Sequence, residues 1–168
     1  MKKKETKADK LRKWHLPYPK FQWHHLRYKN PYQKGVLWFF TSLDIRTRDV
    51  EKYGTCISCG KPITVETCQA GHYAPAGNCG RDLLFHPLNL HAECPSCNAF
   101  DSGHLIGMRK NLVIRYGENG VLWVEEQYEI YRNSKAPVKD WKASEYEELI
   151  KQSSSYQKAV DKAKSKMV

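Results

Sequence analysis

The chain has 168 residues, 40% of them hydrophobic, with a net charge of +10. That suits one compact domain with an added helix or tail. The longest apolar run, Gly35–Phe40, falls far short of the roughly 20 residues a membrane-spanning helix needs, so no membrane partner is expected.

Residues 1–34 form a basic aromatic arm. They hold eleven Lys/Arg and two Asp/Glu, a net +9, whereas the remaining 134 residues net only +1. Trp14, Tyr18, Phe21, Trp23, Tyr28 and Tyr32 are interleaved with the cations. Rings of this kind stack on bases while Lys and Arg follow phosphates, so a nucleic acid is the expected partner. A solvated tail packed by its aromatics is the plainer alternative. No apolar stretch follows the charged opening "MKKKETKADK", so no secretory signal is expected. Six cysteines without export favour metal over disulfides and a cytoplasmic setting.

Pro31 can open a helix running to Tyr53, with Gly54 ending it. The next stretch is rich in turn residues, with one strand expected near Gln69–Tyr73 and another near Leu88–Glu93. A helix should start about Pro95 and reach about Tyr116, weakened by Gly103 and Gly107. "GENG" should break the chain before a helix or strand over Val121–Arg132. "NSKAPVKD" reads as a linker. Ser144–Met167 reads as a polar helix whose apolar stripe (Tyr146, Leu149, Ile150, Tyr156, Val160) is too thin for deep burial. The expected division is arm 1–34, core 35–118 and C-terminal helical region 119–168.

Cys56-x-x-Cys59 and Cys94-x-x-Cys97 are two metal-binding knuckles. Two such turns complete a four-thiolate shell, which suits structural Zn²⁺ with no open position. Cys68 and Cys79 lack a C-x-x-C partner and are expected as ordinary buried thiols. A clamp closing a forty-residue insert makes a turn-rich segment rigid, as a reactive site requires.

Within the clamp lie His72 near the end of the first strand, Asn89 near the start of the second, and Asn98 directly after the last knuckle. "IRTRD", "CISCGK", "QAGHY" and the "CN" that opens the next helix together resemble the NinG (Rap) family of phage recombination proteins, over roughly Val36 to Gly117. The order of histidine and asparagines also resembles HNH, or His-Me finger, nucleases, and the "CN" is similar to phage endonuclease VII. The resemblance implies an α+β fold with a zinc-stapled ββα-metal core flanked by helices. It implies a metal-dependent endonuclease that cuts branched recombination intermediates such as Holliday junctions or D-loops.

Under that resemblance His72 is the general base, since imidazole can take a proton from water near neutral pH. Asn98 and Asp101, three residues apart on a helix, are the expected oxygen ligands of a catalytic Mg²⁺ or Mn²⁺. Asn89 belongs to the catalytic set as a brace for the loop or for His72. Wider relatives carry an acidic residue or histidine directly before the base, where this chain has Gly71, and His91 is the candidate to fill that gap. Arg46, Arg48, Arg81, Arg109 and Lys110 are the candidate DNA contacts. His86, His104 and the His24–His25 pair are expected as surface or structural residues. A resolvase makes two coordinated cuts, so a homodimer joined through the C-terminal helix is attractive. The competing expectation is a non-catalytic zinc module that only binds DNA. A sequence-specific restriction or homing nuclease ranks below both, for want of a base-reading element.

Overall fold

The computed structural model describes residues 31–77, 79–100, 105–134 and 141–165. The basic arm up to residue 30, Asn78, residues 101–104 and the linker at 135–140 lie outside the described residues. The architecture is α+β and rich in helix, with one small sheet. Helix α1 spans Pro31–Tyr53, strand β1 Gln69–His72, helix α2 Arg81–Leu84 and strand β2 Leu90–Glu93. A single π-helical turn over Ser96–Phe100 follows, then α3 (Leu105–Asn133), α4 (Ala143–Gln152) and α5 (Ser154–Lys164). The described residues fall in two compact units. One lies within Ser42–Lys139, and the other draws on Met1–Thr41 and Asp140–Val168. Residue 118, where the sequence divides core from C-terminal region, lies inside α3.

Helix α1 ends where glycine permits it. Gly54 takes φ +65°, a left-handed conformation costly for other residues, and its N–H reaches the carbonyls of Asp49 and Val50. Helix α3 passes "GENG" without unwinding further than one residue, Gly117 at φ 78°. A glycine alone can absorb that kink, so the pattern that predicts a break produces a bend between two helical stretches. Val121–Arg132 is helical.

In the second unit, Trp141, Tyr146, Ile150 and Tyr156 are buried together with Val36, Leu37 and Phe40. The rings of Phe40 and Tyr156 meet edge to face at 5.3 Å, a favoured aromatic geometry. The expected single C-terminal helix is divided at Ser153, whose extended backbone ends α4 and whose hydroxyl accepts from the N–H of Tyr156 in α5.

The larger unit centres on two antiparallel strands. Gln69 pairs with Glu93, Ala70 with Ala92, Gly71 with His91 and His72 with Leu90. Every residue of β2 is buried, including His91 and Glu93. Two strands cannot build a core alone. Helix α3 supports the segments that flank them: Met108, Leu112 and Val121 pack with Ile57, Val124 packs with Ala74, Cys79 and Leu83, and the Tyr116 ring meets His91 of β2 at 5.3 Å. Among the described residues no helix is long and apolar enough to cross a membrane.

Candidate functional site

The first knuckle is a tight turn from Cys56 to Cys59. The N–H of Gly60 donates to the Cys56 carbonyl at 2.9 Å, that of Cys56 to the Lys61 carbonyl at 2.8 Å, and Gly60 sits at φ 74°. The second turn, Cys94 to Cys97, feeds directly into the π-helical turn. The four sulfurs lie within 4.8 Å of one another, with Cys59–Cys94 at 3.8 Å and Cys94–Cys97 at 3.4 Å. A tetrahedral zinc with Zn–S bonds of about 2.3 Å needs sulfurs about 3.8 Å apart. The four thiols can therefore hold a structural metal such as zinc. The N–H of Cys94 donates to Cys56 Sγ at 3.3 Å, a bond that favours the thiolate a metal requires. Cys68 and Cys79 are not among these four: Cys68 packs in the buried cluster that holds Cys56, Ile63, Ala92 and Cys97, and Cys79 packs with Ala74, Leu83 and Val124. Burial pushes the Cys68 thiol above its ordinary range.

At the other end of the strands, Asn89 is fully buried and occupied. Its Oδ1 accepts from the Ala74 N–H at 2.6 Å, and its Nδ2 donates to the carbonyls of Ala74 and Leu83 at 3.2 and 3.0 Å. It laces both sides of the 73–89 loop to β2. His72 Nε2 lies 2.9 Å from the Leu84 carbonyl at the end of α2. A carbonyl only accepts, so this bond puts the ring proton on Nε2 and, in the neutral ring, the lone pair on Nδ1. Tyr73 is fixed from α3: its hydroxyl donates to Glu125 at 2.5 Å, and Arg109 donates to the same carboxylate at 2.8 Å. The Arg109 bonds hold the Glu125 carboxyl below its ordinary range. Burial, reinforced by Glu125, pushes the Tyr73 phenol up.

Three of the arginines expected on phosphate, Arg46, Arg48 and Arg109, bond within the protein. Arg48 donates to Asp49 at 2.7 Å and to the carbonyls of Pro87 and Leu90 at 3.0 and 2.8 Å. Arg46 reaches the carbonyls of Ser42 and Val65. Arg109 is paired with Glu118 and Glu125. The motif "IRTRD" thus anchors β2: Asp49, with no exposed surface, accepts the Ala92 N–H at 2.8 Å. Burial would raise the Asp49 carboxyl, but bonds from His91 and Arg48 and the Arg48 charge outweigh it and hold it at about 2. His91 is also fully buried, with Nε2 on the Leu88 carbonyl at 2.9 Å and Nδ1 3.2 Å from Arg48. Both of its nitrogens are engaged, so it does not fill the gap left by Gly71. Lys110 is exposed on α3. Asp101, His104 and the side chain of Arg81 lie outside the described residues.

What stands at Gly71 is Glu93. A Cβ built on Gly71 would collide with Glu93 Oε2 and lie 2.8 Å from Asn98 Oδ1. The carboxylate from β2 and the amide oxygen from the π-helical turn therefore converge on the residue before His72. Ser58, in the first knuckle, donates to the other Glu93 oxygen. Asn98 Nδ2 donates to Gln69 Oε1 at 2.7 Å, which turns Oδ1 towards the notch. Neither Glu93 nor Ser58 stands out by motif. The available signal was a lone acid ending an otherwise uncharged strand, "LHAE", directly against a metal knuckle.

A family model described as Bacteriophage Lambda NinG protein matches residues 1–162. The protein ninG of Escherichia phage lambda is 35% identical over 107 residues, which is 64% of this chain and 50% of that protein. The protein ninG of Salmonella phage P22 matches to the same extent, and that of Escherichia phage 933W is 35% identical over 88 residues, 52% of this chain and 42% of that protein. The chain spans about half the length, or less, of these relatives. No solved structure matches it.

Proposed function

This chain belongs to the bacteriophage lambda NinG protein family, and on that premise we propose that it is a metal-dependent endonuclease of the HNH, or His-Me finger, type that cuts branched DNA. One observation carries the reading. A histidine anchored by its Nε2 to a carbonyl follows directly on the residue at which the Asn98 amide oxygen converges. Strand, loop, strand and helical turn come in the order that such nucleases use, with the thiol cluster binding structural zinc beside them.

In this reading His72 Nδ1 takes the proton from an attacking water. The water oxygen bonds to phosphorus as the bond from phosphorus to the departing deoxyribose oxygen breaks. Asn98 Oδ1 and the Asp101 carboxylate are ligands of a divalent ion, which when bound offsets the charge of the phosphate and the leaving oxygen. Asn89 holds the loop that carries Leu84 and so keeps the His72 ring in place. Lys110, Arg81 and the basic arm contact phosphate, while Arg46, Arg48 and Arg109 chiefly brace the protein. Preference for branched DNA rests on the likeness to phage recombination proteins, and two coordinated cuts call for a homodimer.

The test uses linear, nicked, flap and four-way-junction DNA with and without Mg²⁺. His72→Ala should keep bound metal and DNA affinity and lose cleavage by about 10²- to 10⁴-fold, the usual worth of a general base. Asn98→Ala and Asp101→Ala should recover partly at high Mg²⁺ or Mn²⁺, and His72→Ala should not. Cleavage by His72→Ala at the wild-type rate removes the catalytic assignment. A wild type that binds DNA but cuts none with any divalent ion leaves a zinc-containing binding module.

A further inference from the structure

Helix α3 presents two solvent faces of the same design. Before Gly117, Ile106, Lys110 and Ile114 are exposed at four-residue spacing; after it, Leu122, Glu126 and Ile130 are. Residues four apart on a helix are neighbours on its surface, so each face is one charge between two apolar side chains. A solvated helix face is normally polar, yet Ile106 is 84% exposed, Ile114 72% and Ile130 63%. The two halves do not run on in one line. Arg109 bonds Glu125, sixteen residues along, which a straight helix would carry about 24 Å away. The bend at Gly117 makes that contact possible.

The other charges of α3 are engaged. Arg109 holds Glu118 and Glu125, Arg132 pairs with Glu129, and Arg115 lies over the Tyr53 ring at 3.8 Å. Lys110 and Glu126 have no ion pair among the described residues. Each half therefore keeps one unmatched charge at the centre of its apolar face, and the two are opposite in sign. A face laid on its own copy brings like charges together. Laid on the other face, it sets Lys110 beside Glu126 with an apolar pair on either side, Ile106 against Ile130 and Ile114 against Leu122 when the helices run antiparallel. We propose that α3 joins two copies of this chain, with the face of Ile106, Lys110 and Ile114 in one seated on the face of Leu122, Glu126 and Ile130 in the other.

Each copy carries both faces, so a two-fold axis makes the contact twice and closes a dimer. Covering the isoleucines removes apolar surface from water, while the charge pair decides which face meets which. Both faces belong to the unit within Ser42–Lys139, so the contact is not made by the C-terminal helices, where the sequence alone would put it. It also takes Lys110 from the phosphate contacts and leaves those to Arg81 and the basic arm. The contact does not depend on the nuclease reading and holds equally for a chain that only binds DNA.

The experiment is sedimentation equilibrium of the zinc-loaded full chain, without DNA, over a range of protein concentrations. The wild type should dimerise. Lys110→Glu and Glu126→Lys should each raise the dimer dissociation constant by about tenfold or more, because two attractions become two repulsions. Both side chains are exposed, so zinc content and circular dichroism should stay at the wild-type level. An equimolar mixture of the two single variants should dimerise again, since each then meets the charge it lacks, and the double variant should recover on its own. A wild type that stays monomeric throughout overturns the proposal, as do single variants that dimerise like the wild type or a mixture that remains monomeric. Loss of the dimer with Glu126→Lys but not with Lys110→Glu overturns it in favour of the basic arm as the occupant of the acidic face. Should either charge variant lose zinc, Ile114→Ser with Ile130→Ser decides: a dimer as tight as the wild type's overturns the proposal.

Discussion

At one end of the β1–β2 ladder Glu93 runs into Cys94 and a cluster of four thiols; at the other, Leu90 follows Asn89 and a web of side-chain amides and charges. The thiol end is built from four cysteines that can hold a removable metal ion. The amide end is closed by bonds within the chain, from Asn89 to Ala74 and Leu83 and from Arg48 and Asp49 to β2. Two short strands have little apolar area to bury, so each end needs a polar device, and the two devices fail under different insults. The proposed site would draw on both: His72 is held by the loop that Asn89 laces, while Asn98 follows directly on the second knuckle.

The comparison breaks most completely at the thiol end. Cys94→Ser, or zinc removal by a strong chelator, should unfold the region around both knuckles, because metal binding there contributes on the order of 10 kcal/mol. Amide exchange should rise across 55–62 and 90–98, and elemental analysis should show zinc lost from the variant. A metal-free wild type with unchanged exchange would mean that the strands stand without the clamp. At the amide end, Asn89→Ala leaves buried backbone groups of Ala74 and Leu83 without partners. The expected cost is about 3 kcal/mol by urea denaturation, with zinc content unchanged. If that variant sheds zinc, the two ends are one cooperative device and the distinction fails.

The smallest effect sharpens the picture through pH. The folded Asp49 carboxyl sits at about 2, below its ordinary 3.8, so it stabilises the fold above pH 3.8 and loses that contribution as pH falls towards 2. Asp49→Asn should therefore cost about 2 kcal/mol at neutral pH, and its deficit relative to wild type should close in that acid window. Acid also strips metal from thiolates in both proteins, so the difference between the two unfolding curves is the quantity to follow.

Much of this was legible in the sequence because it is local. Pro31 and Gly54 mark the ends of α1, and both knuckles are written as C-x-x-C. The strands lie within two residues of where alternating turn and apolar residues put them. What was illegible depends on register. Glu93 reaches Gly71 only when Gln69 is set opposite Glu93, and no spacing rule states that pairing. Arg46, Arg48 and Arg109 read as surface cations because charge count is blind to the carbonyls and carboxylates that wait across the fold. His91, with an attractive alternation from Asn89, turns out to be enclosed by Arg48, Asp49 and the Leu88 carbonyl.

The notch at Gly71 also constrains how such a chain can change over generations. A side chain acquired at position 71 while Glu93 remains meets a carboxylate already in place, and Glu93 shortened while Gly71 remains leaves a hole where an acid stood. Either single step requires the Glu93 side chain to move or leaves a void, whereas the two steps together exchange one layout for another. The pair is a ratchet. A lineage that has settled on glycine here and glutamate across the ladder is held there by the valley between the two arrangements, whatever the merits of the far side.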